Sequence, residues 1–267
     1  MELIISVSTT EQFANALRTR VTVLILEADL CAPMEYPAKT EAAHRANKRI
    51  YLAFPYVVRS FTANYFEKHA ETVKNAGFDG FLIRSPESLD YLKKHEISGE
   101  FVSDAGLYAF NSSSKAVLRD FGFSRLTVPY ELNYREAKET DFSGEILTAY
   151  GYLPMMVTEN CLHKTLEQCD GKRRDLILFD RLNHGMRTEN HCRFCYNLIF
   201  NTLPMSLLGC KKEIGELNPG YLKLYFTFES GETLFKITRE FESVFLDGET
   251  LPAPENTTRG HFKRGVE

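Results

Sequence analysis

The sequence predicts an α/β fold: a degenerate parallel (β/α) TIM-like barrel over residues 1–150, a cysteine-rich metal-binding segment over 151–212 and a small α+β C-terminal extension over 213–267. Short apolar runs alternate with helix-length spacers in the first part, which is typical of parallel βα units. No Gly-x-Gly-x-x-Gly follows any of these runs, so a barrel is favoured over a dinucleotide-binding sheet. Beyond residue 150, cysteines and charged turns replace the alternation.

The periodicity places the elements. A helix is predicted over residues 62–76 because Phe66, Ala70 and Val73 recur at i, i+4 and i+7. A last strand, Tyr221–Phe228, precedes an amphipathic helix that closes the extension. The predicted barrel strands are Leu3–Val7, Val21–Leu26, Arg49–Phe54, Gly80–Ile83, Glu100–Ser103, Arg125–Val128 and Glu145–Ala149.

Composition narrows the class of protein. Of 267 residues, 43% are apolar and 25% charged, as in soluble globular proteins. The net charge of −4 gives no global basic field, although Arg259, Lys263 and Arg264 cluster near the C-terminus. No apolar stretch approaches the ~20 residues of a membrane span, and the N-terminus lacks the pattern of a signal peptide. Since six cysteines in such a chain indicate thiols or metal ligands, we expect a cytoplasmic protein with no membrane partner.

Four cysteines form the pattern C-x7-C-x22-C-x2-C. Four thiols can close a tetrahedral zinc site or hold a cubane iron–sulfur cluster, and this spacing leaves both open. Of the other two, Cys31 is expected to be a buried thiol, with a spare ligand as the alternative, and Cys210 a core residue. The predicted metal ligands are Cys161, Cys169, Cys192 and Cys195.

Polar residues follow several predicted strands. Active sites of parallel barrels lie at the carboxyl ends of the strands, where Asp104, Glu131 and Arg59 fall. Glu131 is a candidate general base, or a ligand for a substrate amine or hydroxyl; the alternative is a carboxylate that faces a helix dipole. Asp104 is a further candidate catalytic residue, and Asn111 and Arg59 are candidates for substrate binding. For Asp104 and Asn111, ordinary turn chemistry is the alternative.

The second half of the chain adds three candidates. Arg181 is a candidate for binding an anionic substrate, with structural pairing near Asp180 as the alternative. Arg259 and His261 belong to the polar tail, residues 258–267. A tail of such specific sequence makes sense if it folds back over a site, and a solvated disordered end is the alternative.

Several segments resemble one known family. The stretch EILTAYGYLPMMVTENC (residues 145–161) resembles the hallmark segment of the U32 peptidase, or collagenase-like, family. The likeness extends over nearly the whole chain. The chain resembles the C-terminal half of the large U32 proteins of anaerobic Firmicutes. The further matching segments are SDAGLYAFNSSS (103–114), VPYELNYREAK (128–138), CLHKTLEQC (161–169), HCRFCYNLIFNTLP (191–204) and TRGHFKRGVE (258–267).

The resemblance implies a redox enzyme. U32 members studied as hydroxylases carry a [4Fe–4S] cluster and modify an RNA base or a small aromatic acceptor without dioxygen, with prephenate implicated as the oxygen source. It implies that the four cysteines hold the cluster and that Glu131, Asp104, Arg181 and the tail line the substrate site. Pro154 stands where the family has its first cluster cysteine. The large relatives carry a long preceding region, so a partner chain or a missing N-terminal domain is also implied.

Two other functions remain open. The family's traditional label implies a hydrolase of collagen-like peptides, but the sequence has neither His-Glu-x-x-His nor Gly-x-Ser-x-Gly. The third alternative is a non-catalytic, metal-stapled half that needs a partner. The near-neutral charge fits a small-molecule or partner-dependent role better than unaided RNA binding, and the hydroxylase is the favoured function.

Overall fold

The computed structural model describes residues 1–166, 169–172 and 175–265. Within these ranges the strands are β1 (Glu2–Val7), β2 (Val23–Glu27), β3 (Arg49–Ala53), β4 (Gly80–Ile83), β5 (Glu100–Ser103), β6 (Ile146–Gly151), β7 (Pro154–Thr158), β8 (Asp175–Phe179), β9 (Gly185–His191), β10 (Tyr196–Phe200), β11 (Met205–Ser206) and β12 (Tyr221–Tyr225). The α-helices are α1 (Thr10–Ala16), α2 (Tyr36–Arg45), α3 (Ser60–Lys68), α4 (Ala70–Lys74), α5 (Pro86–Lys94), α6 (Ser112–Asp120), α7 (Tyr134–Glu139), α8 (Leu162–Leu166), α9 (Lys211–Leu217) and α10 (Gly231–Phe245). No helix in the described ranges combines the length and apolarity needed to cross a membrane.

The larger sheet curls into a barrel. Its order is β11-β6-β12-β1-β2-β3-β4-β5, parallel throughout except for the short β11. Residues 125–128 join its two sides, because Arg125 bridges Val102 of β5 and Thr127 bridges Ile146 of β6. Side chains replace the regular ladder here: the Leu126 amide donates to the Glu145 carboxylate at 2.8 Å. This irregular wall confirms the degenerate parallel barrel.

The barrel interior changes character along its axis. Successive residues of a strand point to opposite sides, so every second residue faces inward. The middle of the interior is an apolar cluster of Ile4, Val23, Ile25, Tyr51, Ala53, Leu82, Val102 and Ile146. Two residues further toward the carboxyl ends, the inward series becomes charged: Glu27, Arg84, Asp104 and Lys223 are all buried. Strand periodicity alone therefore gathers four charges at one end of the barrel.

Two expectations need correction. The helix predicted over 62–76 is two helices, α3 and α4, because His69 leaves the helical conformation (φ −114°, ψ 14°). The face of Phe66, Ala70 and Val73 is nevertheless buried as expected. The predicted strand 221–228 ends at Tyr225, and it lies between β6 and β1 as part of the barrel wall instead of beside it. The boundaries at residues 150 and 212 stay predictions.

The cysteine-rich segment contributes a second, antiparallel sheet of order β7-β10-β9-β8. Its β9–β10 turn docks on the carboxyl end of the barrel. The Phe194 ring stacks on Phe66 with centroids 5.6 Å apart. The Arg193 guanidinium donates to the backbone carbonyls of Ala28 and Cys31, just beyond β2. The cysteine turn therefore lies on the face of the barrel where the buried charges gather.

The tail folds back against the barrel over residues 258–265. Thr258 bridges Met205 of β11, and the amide of Tyr134 donates to the Phe262 carbonyl at 2.8 Å. The Phe262 side chain is buried, with its ring 6.0 Å from that of Tyr134. The tail thus packs behind the loop of residues 128–134. Its last two residues, Val266 and Glu267, lie outside the described residues.

Gly151 provides a test of the barrel wall. It has φ +144°, and a Cβ at this position would overlap the carbonyl oxygen of Tyr225 on the neighbouring β12. We expect Gly151→Ala to lower the free energy of unfolding by about 1–3 kcal/mol, through strain and overpacking. Urea unfolding measures this.

Gly215 is the matched control. It lies within α9, with ordinary backbone angles and open space around its Cβ position. Gly215→Ala is expected to be neutral or to stabilise by up to about 1 kcal/mol. Equal effects of the two substitutions would contradict the close approach of β6 and β12.

Candidate functional site

Arg84 is the centre of the charged end of the barrel. Its guanidinium binds the Glu27 carboxylate with two hydrogen bonds, Nη1–Oε2 at 2.6 Å and Nη2–Oε1 at 2.7 Å. Its Nε donates to Oδ2 of Asp104 at 2.8 Å, and Lys223 Nζ donates to Oδ1 of the same carboxylate at 2.7 Å. Two cations and two carboxylates thus neutralise one another in a largely buried network.

This network fixes the protonation state of Asp104. Burial by itself would raise the pKa of a carboxyl group. The charges of Lys223 and Arg84 and their hydrogen bonds outweigh burial and hold the pKa of Asp104 well below its usual range. Asp104 is therefore an acceptor of hydrogen bonds at neutral pH and not a proton donor.

A cleft of about 230 Å³ opens above the network. Glu131 is in its wall, and among the described residues no side chain forms an ion pair with it. The Arg84 guanidinium lies 4.1 Å from the Tyr56 ring centroid, in cation–π geometry. Burial raises the pKa of Tyr56 and of Tyr130, so both phenols stay protonated. The cleft, called the mouth cleft below, is lined by Tyr56, Arg84, Asp104, Ala105, Gly106, Tyr108, Tyr130, Glu131, Pro154 and Val157.

An exposed aromatic pair stands at the rim of the mouth cleft. The rings of Tyr108 and Phe110 lie 5.5 Å apart and nearly parallel, with an angle of 6° between them. Tyr108 holds a left-handed backbone conformation (φ 52°, ψ 56°), which is uncommon for a residue with a side chain. The rim therefore offers flat aromatic surface, and the floor offers fixed charges.

The structure brings together two of the predicted catalytic residues, Asp104 and Glu131, in the mouth cleft. Arg181 is exposed in the β8–β9 turn and does not line the cleft. Asp180 of that turn accepts from the amides of Leu182 and His184, each at 2.8 Å.

The predicted substrate-binding residues are dispersed. Asn111 is the N-cap of α6 and accepts from the Ser114 amide at 2.9 Å, which is its turn-chemistry alternative. Arg59 forms an ion pair with Glu159 and borders a separate groove between α3 and α5. Arg259 and His261 lie on the tail, where His261 Nδ1 donates to the Gly265 carbonyl at 2.9 Å. Their roles in substrate binding stay predictions.

Sequence reasoning missed Glu27, Arg84 and Lys223. The signal for the first two was present, because both stand at or just after the carboxyl end of a predicted strand, as Asp104 does. Lys223 stands in an apolar strand between Leu222 and Leu224, where inward alternation marks it. A charge flanked by apolar neighbours within a barrel strand was the missed signal.

Cys192 and Cys195 flank the turn between β9 and β10. The amides of Phe194 and Cys195 both donate to the His191 carbonyl, at 3.0 and 2.8 Å. Cys195 takes a left-handed conformation with φ 58°. The Cys195 side chain is exposed, and Cys192 borders an open cleft of about 370 Å³ with Asp29, Gly171 and Arg193.

The sulfur atoms have hydrogen-bond donors. The Asn190 side-chain amide donates to Cys192 Sγ at 3.1 Å, and the Lys164 backbone amide donates to Cys161 Sγ at 3.5 Å. Donors of this kind stabilise thiolates, the form of cysteine that binds metals.

The four predicted ligands share one electrostatic neighbourhood. Burial raises the pKa of Cys192, and the nearby Cys161, Cys169 and Cys195, together with Asp170, raise it further. None of the four thiols is in a disulfide. Among the described residues, no three His, Cys, Asp or Glu side chains already converge on a single ion position. The donor chemistry suits thiolate coordination, because there are four thiols and two of them, Cys161 and Cys192, accept hydrogen bonds from amides.

The other two cysteines are buried, as expected. Burial raises the pKa of the Cys31 thiol to about 11 and also raises that of Cys210. Neither has a partner among the four candidate ligands.

Tyr196 connects the cysteine turn to the mouth cleft. It follows Cys195 directly and is buried, with its ring stacked on His191 at 4.6 Å. On its other side the ring centroid lies 6.5 Å from that of Tyr56 in the cleft wall. The His191 Nδ1 lies 2.5 Å from Oδ2 of Asp29, which ties the turn to the loop after β2.

Comparison with known families identifies the chain. Residues 28–228 match the family profile described as Peptidase family U32, which is well over half of the sequence. The chain belongs to peptidase family U32. The matched range of this U32 protein includes both the barrel residues Arg84, Asp104 and Glu131 and the cysteine turn. Among curated proteins, no sequence matches the chain.

Solved structures give distant likenesses. The U32 peptidase Mk0906 is 9% identical with a TM-score of 0.45, over 57% of this chain and 70% of that one. The 3-dehydroquinate dehydratase from Aquifex aeolicus VF5 is 11% identical with a TM-score of 0.43, over 92% and 99%. A D-psicose 3-epimerase is 8% identical with a TM-score of 0.42, over 90% of each chain.

The buried network predicts a pH-dependent loss in Asp104→Asn. Removing this carboxylate leaves two buried cations with one partner, so we expect a loss of about 3–5 kcal/mol in the free energy of unfolding at pH 7. Folding lowers the pKa of Asp104. The stability that this carboxylate contributes is therefore complete above its unfolded-state pKa of about 3.9, and it declines as the pH falls toward the folded-state pKa. Urea unfolding between about pH 7 and pH 3 measures both effects.

Asp120→Asn is the control, since Asp120 is exposed at the end of α6. Its effect should stay within about 0.5 kcal/mol at each pH. A loss for Asp104→Asn that stays constant down to pH 3 would contradict the assigned charge state.

Proposed function

We propose that this U32 protein is an iron–sulfur enzyme that hydroxylates a planar ring, either an RNA base or a small aromatic acceptor, without dioxygen. One observation carries the proposal. The β9–β10 turn, which carries Cys192 and Cys195, and the polar, aromatic mouth cleft both lie at the carboxyl end of the barrel, with the Tyr196 and Tyr56 rings 6.5 Å apart between them.

The cysteines would hold the metal centre. Cys161, Cys169, Cys192 and Cys195 are the ligands for a [4Fe–4S] cluster, with zinc as the alternative. A bound cluster supplies one-electron redox chemistry. The amides of Asn190 and Lys164, which donate to two of the sulfurs, stabilise the negative charge of the ligands.

The mouth cleft would hold the substrate. Its volume of about 230 Å³ suits a single planar ring, which the aromatic residues Tyr56, Tyr108 and Tyr130 would contact. Arg84 and Asp104 are locked in place by their ion pairs, so they orient polar groups of the ring without moving. Glu131 is the carboxylate that would accept a proton from the substrate or hydrogen-bond its hydroxyl or amine group.

A hydroxylation without dioxygen needs another donor for the hydroxyl oxygen. The resemblance to U32 hydroxylases implies prephenate as this donor. Its carboxylates would bind cationic or hydroxyl groups of the site.

The lining of the mouth cleft does not favour an acyl-enzyme protease. Its described lining contains no Ser, Cys or His, the residues that form acyl intermediates or activate them. The cleft is also small for an extended peptide, which occupies several side-chain subsites.

Metal analysis tests the proposal. We expect anaerobically purified protein to contain about four irons and four sulfides per chain and to show the visible absorption of a cluster. Cys192→Ala and Cys195→Ala should each lose most of the iron, because each variant lacks one of the four proposed ligands, whose charges act on one another. Iron, sulfide and zinc are measured on the same samples.

Cys210→Ala is the matched control and should retain the iron, since Cys210 is buried at the start of α9. One zinc per chain with no sulfide would sink the hydroxylase proposal and make the cysteines a structural staple. Cleavage of gelatin that persists in Cys195→Ala would instead favour the hydrolase.

A further inference from the structure

The tail forms a second polar cleft, apart from the mouth cleft. It has a volume of about 570 Å³. Three of its lining residues are cationic, and three carry hydroxyl groups. This tail cleft presents Arg259, Lys263, Arg264, Ser206, Thr257 and Thr258.

Backbone contacts hold the tail segment that carries the cations. The Thr258 amide donates to the Pro204 carbonyl at 3.0 Å, and the Ser206 amide donates to the Thr258 carbonyl at 2.8 Å. Phe262, between Arg259 and Lys263 in the sequence, is buried and anchors the tail to the barrel. Gathering like charges around one cleft adds repulsion, which a bound anion would offset.

The tail cleft has an excess of positive charge. Lys263 Nζ lies 2.6 Å from Oε1 of Glu213, and the hydrogen bond from Lys263, with the charges of Lys263 and Arg259, lowers the pKa of Glu213. Glu213 therefore neutralises about one of the three cations. Among the described residues no carboxylate lines the cleft itself, and no ion pair engages Arg264.

We propose that the tail cleft binds a phosphate group, carried by RNA or by a small phosphorylated molecule. Two guanidinium groups beside an ammonium group and several hydroxyls match the charge and the hydrogen-bond acceptors of phosphate. Phe262 lines a small cavity together with Tyr130, so the tail packs against the loop whose Tyr130 also lines the mouth cleft. This site goes beyond the proposed hydroxylase and does not depend on the metal centre.

Binding to the full-length, anaerobically purified protein tests the site. The probes are a short fluorescent single-stranded RNA and inorganic phosphate as its competitor. The double variant Arg259→Gln/Arg264→Gln should weaken RNA binding at least about tenfold at low salt. It should also reduce the slope of log K against log salt by about 1.4, since two phosphate contacts are lost and each contributes about 0.7 on a single strand.

Lys68→Gln/Lys74→Gln is the matched control. It removes two exposed cations on α3 and α4 and should leave both quantities unchanged. Affinity that grows with RNA length would assign the site to a phosphodiester backbone. Phosphate competition without any dependence on RNA length would assign it to a small phosphorylated ligand.

Phe262→Ala tests whether binding requires the anchored tail or only its three positive charges. This variant keeps all three cations but removes the buried ring that anchors the tail, so binding should fall to a similar extent. The proposal is overturned if neither probe binds, or if either the arginine variant or Phe262→Ala binds like the wild type. Iron content reports on the metal centre independently, because the arginine variant should keep its iron and Cys195→Ala should keep its phosphate binding.

Discussion

The buried guanidinium of Arg84 is the constraint on which the site depends. A cation in the interior of a barrel needs carboxylate partners and hydrogen bonds, and Arg84 obtains them from Glu27 and Asp104 on two other strands. Lys223 balances the second carboxylate from a third strand. Buried pairs of this kind add little net stability compared with apolar packing, but removing one partner is costly. The network therefore defines the geometry of the cleft floor more than it stabilises the fold.

The same end of the barrel receives the cysteine-rich segment. This segment leaves the barrel at Gly151 of β6 and returns at Met205 of β11, and these two residues are paired, so its two ends are anchored side by side. Its β9–β10 turn contacts the barrel through His191 on Asp29 and through Phe194 on Phe66. The segment is therefore attached to the barrel both at its base and at this turn, which positions Cys192 and Cys195, two of the proposed metal ligands.

Much of the barrel could be predicted because strand periodicity is a local signal. The runs at Leu3, Arg49, Gly80 and Glu100 begin or continue as strands within one residue of expectation. The barrel wall at residues 125–128 was harder to predict, since side chains such as Glu145 accept hydrogen bonds that a neighbouring strand accepts in a regular ladder. The site residues were also predictable only in part. Asp104 and Glu131 could be predicted because active-site residues lie at the carboxyl ends of strands. The partners of Arg84 come from strands distant in sequence, and no local pattern pairs them.

Pro154 shows how this chain can separate metal from substrate. It stands where the resemblance to U32 hydroxylases expects a first cluster cysteine, and it lines the mouth cleft beside Asp104 and Glu131. A thiol there would face the substrate. With proline at this position, none of the four remaining cysteines lines the cleft, and the rings of Tyr196 and Tyr56 lie between the cysteine turn and the cleft. In the proposed enzyme, this aromatic contact, with centroids 6.5 Å apart, would link the metal centre and the substrate cleft.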